Sequence, residues 1–146
     1  MKLPILVFSL FWRMLVLYFS FIIFAIIVLK LLILTGLYHF SMSPLNIPTY
    51  VSLILALIIL ITTLQFQINL VSVIFGQKLA LTKIFWSRFH IGLSAILCLI
   101  ALLNWIVAAS ASIDVWINFK FFGILSILFC GVIILVAFLL RAESRS

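Results

Sequence analysis

Thr62, Gln65, Asn69 and Ser72 stand three and four residues apart in an otherwise apolar stretch. At about 100° per residue they share a sector of roughly 80° on one helical face. Hydroxyls and amides so placed could line a path for a polar solute. They could equally bond a neighbouring helix, at about 0.6 kcal/mol per contact on average. Packing is the first expectation, because the group falls towards the cytoplasmic end of its span, where water is near. Asn104 has no charged companion in its stretch and is expected to bond a neighbouring helix. General acid–base catalysis would have to draw on Asp114, Glu143, His39 or His90, the only carboxylates and imidazoles in the chain. They form no acid pair, no nucleophile–base set and no ligand cluster. An enzyme, a metal site and a bound cofactor are therefore not expected. Cys98 and Cys130 lie deep in apolar runs and fit small packing residues better than redox partners.

The elements that must carry these residues follow from composition. Of 146 residues, 68% are hydrophobic and 8% charged, where a soluble domain carries roughly 25% charged. A soluble fold of this size has too little interior to hide so much apolar surface. The expected fold is an all-α, polytopic transmembrane helical bundle of about four spans in a single domain covering 1–146. The spans are placed at about 14–36, 50–70, 91–109 and 121–140. The apolar segment 4–12 is too short to cross alone, and either lies along the interface or extends the first helix. Arg13 and the lack of a small-x-small cleavage site speak against a removed signal peptide. The second helix could reach as far as residue 75. The basic segment 76–90 shows no clean amphipathic face.

Nine Lys and Arg against two acids give a net charge of +7. The cations are scattered at span ends, which suits topology and contact with anionic membrane lipids, and no nucleic-acid partner is expected. With both termini cytoplasmic, Lys2, Arg13, Lys78, Lys83, Arg88, Arg141 and Arg145 face inward, and only Lys30 and Lys120 outward. His39 and His90 then lie about 30 Å apart across the bilayer, which removes a shared metal or haem. Lys30 is expected to snorkel to the headgroups. Trp86 and Arg88 suit an anchoring position at the inner headgroups, and Trp116, Asn118 and Lys120, with Asp114 close by, suit the outer one. The outer group could also recognise a lipid headgroup or an envelope partner. Gly123, Ser126, Cys130 and Ala137 share a narrow face of the fourth span, where another helix is expected to dock.

The stretch ALLNWIVAASASIDVWINFKFFG, residues 101–123, resembles the signature region of the intracellular septation protein A family. The matching residues are Leu103, Asn104, Val107, Ala108, Asp114, Trp116, Asn118, Phe119, Lys120, Phe122 and Gly123. Upstream, Gly76, Leu79, Leu81 and Trp86 keep the family's spacing, and Pro48 and Thr49 resemble the start of its preceding span. The likeness covers roughly residues 44–146. Ile47 stands where the family usually has Lys, Thr82 where it has Pro, and His90 where it has Asn. Family members are generally longer, so the chain is similar to a divergent relative shortened at its N-terminus. The resemblance implies a non-enzymatic bacterial inner-membrane protein of the cell envelope, without cofactor, supporting septation and envelope integrity. Its expected partners are other inner-membrane proteins or further copies of itself. A small solute or lipid transporter or pore, and an accessory subunit of a larger membrane complex, are the alternatives.

Overall fold

A computed structural model describes residues 3–35, 44–68, 73 and 81–143. All regular structure among them is helical. Helix α1 spans Leu3–Leu34, and a short 3₁₀ turn at Pro44–Asn46 leads into α2, Ile47–Leu64. Helix α3 spans Lys83–Ser110. A final rod is built from α4 (Ile113–Asn118), a π turn (Phe119–Gly123) and α5 (Ile124–Glu143). Four of these stretches are long and apolar enough to cross a membrane, namely Pro4–Val28, Ile47–Leu64, Lys83–Ser110 and Ile113–Ala142.

Local chemistry sets the ends. Pro48 stands in the first turn of α2, where its missing N–H costs nothing. At the far end the Ile68 amide bonds Thr62 O at 2.9 Å, and Gln67 takes a positive φ of 53°, so the chain turns off the helix axis. Helix α2 therefore stops at Leu64 instead of running towards 70 or 75. The Thr82 hydroxyl caps α3 by accepting from the Phe85 amide at 3.1 Å. That cap starts α3 at Lys83, so the end of the basic segment forms its first two turns. Phe85, Trp86, Phe89 and His90 point into the bundle from there.

The helices pack in antiparallel order. Ser94 bonds Ala56 O, and Asn104 bonds Thr49, which fixes α2 against α3, the most extensive pair. Gly92 lies under Leu135 and Gly131 against Ile96, so the backbones of α3 and α5 approach closely with opposite directions. Phe11 and Phe129 meet edge to face at 4.9 Å, and join α1 to α5. One core runs through all four helices, from Leu6, Phe85 and Leu139 at one end to Tyr18, Val51 and Ile124 towards the other. Leu3 and Glu143 accordingly lie at the same end of the bundle.

Helix α1 sits differently from a span placed at 14–36. Its buried residues are Leu6, Val7, Leu10, Met14 and Tyr18, so segment 4–12 extends the helix and supplies much of its seam. Arg13, read from sequence as lying at the inner edge, is ten residues into the helix and half-buried beside Met14. Beyond Ala25 every described side chain of α1 is exposed except Val28, which is half-buried. At 1.5 Å per residue this helix of 32 residues is about 48 Å long, against a hydrocarbon core of about 30 Å.

Candidate functional site

The sequence-expected groups fall at two places, a polar seam inside the bundle and a cluster at the end where α2 begins and α3 finishes. The seam joins α2 to its neighbours. Asn104 is fully buried and its amide nitrogen donates to Leu45 O at 3.0 Å and to Thr49 Oγ1 at 2.9 Å. It thereby holds the start of α2 against α3, the interhelical bond expected of it. Its carbonyl oxygen has no partner among the described residues. Ser94 donates to Ala56 O at 3.2 Å and to His90 O at 3.0 Å, and the Tyr18 hydroxyl meets Ser52 Oγ at 3.2 Å. Two heptads along from the Asn104–Thr49 bond, the antiparallel register carries buried Thr63 to the level of buried His90. His90 is turned back to the Trp86 carbonyl.

Ser52, Ser94 and Thr63 are not marked by the sequence reading, and Thr49 enters it only through the family resemblance. The signal was present: Thr49, Ser52, Ala56, Ile59 and Thr63 alternate by three and four, the spacing of a helix seam. The stripe that was singled out is divided. Thr62 directs its hydroxyl to Ile58 O and Ile59 O of its own helix, and Gln65 is exposed just past the helix end. Asn69 and Ser72 lie outside the described residues, as do His39 and Lys78. No observation joins these groups into a solute path.

At the other place, Trp116 and Lys120 come together. The Lys120 ammonium lies 5.1 Å from the centroid of the Trp116 ring and 5.9 Å from that of Phe121. Such contacts are worth about 0.5–1 kcal/mol at exposed sites and more when desolvated. Trp116 is 8% exposed, and its Nε1–H has no acceptor among the described residues. Asp114 and Asn118 point outward from the same rod. Lys120 and Arg141 are separated by about 30 Å of helix, which matches the hydrocarbon thickness and puts one cation at each rim.

The remaining expected residues are placed as follows. Trp86 is 3% exposed and faces the core, while Arg88 faces out. Ser126 and Cys130 are exposed, and Gly123 and Ala137 half-buried, on the side of the rod turned away from the other helices. The buried side is Ile124, Leu128, Val132, Val136 and Leu139. Close approach inside the bundle falls to Gly92 and Gly131 instead. Lys30 is exposed on the free part of α1. Among the described residues no three His, Cys, Asp or Glu side chains gather to hold a metal.

Four apolar helices around one polar-stitched core, with Lys120 and Arg141 at opposite rims, define a multi-pass helical membrane protein. A family model described as "Intracellular septation protein A" matches residues 22–146, reaching back into α1 beyond the motifs at 44–146. The chain belongs to that family, and its place is the inner membrane. It is 32% identical over 95 residues to the inner membrane-spanning protein YciB of Pasteurella multocida, covering 64% of this chain and 52% of that one. It is 29% identical over 76 residues to YciB of Paraburkholderia phymatum, covering 52% and 43%. The Aeromonas hydrophila protein of the same name is 32% identical over 77 residues, covering 53% and 42%. The chain thus spans about half the length of the curated relatives it matches. No solved structure matches it.

Proposed function

We propose that this inner-membrane protein is a non-catalytic scaffold of the bacterial envelope. It would support septation and envelope integrity by packing its helices against other membrane proteins or a second copy of itself. The observation that carries this reading is the free half of α1. Ile23, Phe24, Ile26, Ile27, Leu31, Ile33 and Leu34 are between 40% and 82% exposed among the described residues. Ile22 lies level with Lys120 across their shared groove. From there to Leu34 the helix runs on by about 18 Å. Tilt absorbs part of that surplus. Apolar side chains left beyond the hydrocarbon need company from another chain. The outward Ser126–Cys130 side of α5 offers a second surface on which a helix could come close. The family's name supports the septation role.

The test is extraction from native membranes in mild detergent, with a photo-crosslinking amino acid at Phe24 or Leu31. Scaffolding is expected to give a crosslink to a second membrane chain and a particle heavier than one copy. A particle of single-chain mass with no crosslink from either position overturns it.

A further inference from the structure

We infer that the seam between α1 and the final rod binds one anionic phospholipid, with its phosphate at Lys120 and an acyl chain in the groove below. The groove encloses about 70 Å³ and is lined by Tyr18, Phe19 and Ile22 on one side and Lys120, Ile124 and Leu128 on the other. That is the volume of about two waters at roughly 30 Å³ each, but a water needs two to four polar partners. The lining is almost wholly carbon, and the Tyr18 hydroxyl is already engaged with Ser52. Hydrocarbon is the occupant the walls suit, and in a membrane-spanning bundle the neighbouring hydrocarbon is lipid.

Geometry and charge then choose the lipid. From Lys120 to Leu128 the groove runs about 12 Å along the rod, close to the half-thickness of about 15 Å that one leaflet occupies. A chain hanging from a headgroup at Lys120 would therefore follow the groove towards the midplane. The ammonium is seated over the Trp116 and Phe121 rings, at the depth where a phosphate lies. The indole N–H of Trp116 is a buried donor with no acceptor among the described residues. A phosphate oxygen at this depth would pair with the Lys120 ammonium. Lys30, the other cation at this end, lies on the free part of α1 and does not line the groove.

Native mass spectrometry of the full chain, titrated with phosphatidylglycerol against phosphatidylcholine of equal chain length, tests this. The wild type should retain one phosphatidylglycerol in preference by about fivefold, as expected for one basic residue near an anionic headgroup. Lys120→Gln should bring the two lipids to parity, Lys120→Arg should restore the preference, and Lys30→Gln should leave it unchanged. Ile22→Trp, which fills the groove, should lower retention of both lipids. In the wild type, a phosphatidylglycerol with a photoactivatable acyl chain should label peptides of α1 and the final rod around Phe19, Ile22 and Leu125. No preference in the wild type, a preference that survives Lys120→Gln, equal loss in Lys30→Gln, or labelling confined to α2 and α3 would each overturn the site.

Discussion

At the scale of single residues, Asn104 is where polarity is spent most heavily for structure. Replacing it with Ala removes the bonds to Leu45 O in the 3₁₀ turn and to Thr49 in α2, and leaves Thr49 buried without its donor. The expected cost is about 1 kcal/mol in unfolding free energy, at the upper side of the usual range for interhelical bonds in membranes. A Thr49→Val partner allows a double-mutant cycle, and a coupling near zero in detergent or bilayer unfolding would remove the bond from the account. Asn104 was legible in the sequence because an amide stands out among Leu, Ile and Trp. His90, Ser94, Ser52 and Thr49 were harder to see for a physical reason. A hydroxyl or imidazole can satisfy itself on a helix carbonyl four residues back, as Ser94 does on His90 and His90 on Trp86. Such residues interrupt an apolar run so little that only their three-and-four spacing marks them.

At the scale of elements, small residues decide which helices come close. A Cβ on Gly92 would run into the Leu135 side chain, and one on Gly131 would lie 2.9 Å from the end of Ile96. Gly92→Leu is expected to push α3 and α5 apart and cost about 1–3 kcal/mol of stability. Ser126→Leu on the outward side should change the stability of a single chain by less than about 0.5 kcal/mol. Thermal unfolding of the two variants in one detergent compares them. Equal losses would mean that the final rod is turned the other way. Smallness alone led the sequence reading to Gly123, Ser126, Cys130 and Ala137. In water the apolar face of a helix points inward, but lipid is as apolar as the core, so composition does not say which side of α5 is inside. The large residues Ile124, Leu128, Val132 and Val136 fill the interior, while Ser126 and Cys130 face out and Gly123 and Ala137 are half-buried.

At the scale of the whole molecule, the four crossings were legible from hydropathy, since about 20 apolar residues suffice to span the bilayer. Their ends were not. Caps such as Thr82, and the turn at Gln67, depend on local bonds that a hydropathy window averages away. The four described crossings leave Leu3 and Glu143 at one end of the bundle, and the cation bias predicts that this end is cytoplasmic. Asp114→Cys is therefore expected to react with an impermeant maleimide from the periplasmic side, and Glu143→Cys only after lysis. Native Cys98 and Cys130 should stay silent, because they face the hydrocarbon, which a charged impermeant reagent does not enter. Reaction of Glu143→Cys in intact spheroplasts would invert the bundle. The π turn at Phe119–Gly123, closed by the Ile124 amide on Phe119 O, has its own bearing on this rod. An unbroken α-helix traced back from Ile124 at 100° per residue would aim Asp114, Ile117 and Phe121 at the core. All three are exposed, and Trp116 and Phe119 turn inward in their stead. One surplus residue thus rotates the two halves of the rod relative to each other and steers a carboxylate away from the greasy interior. It also makes the turn a place where the chain tolerates shortening. Losing Phe122 would relax the bulge into ordinary helix with both faces still correctly aimed, while the same loss at Ile127 would swing every residue on one side of the cut by about 100°.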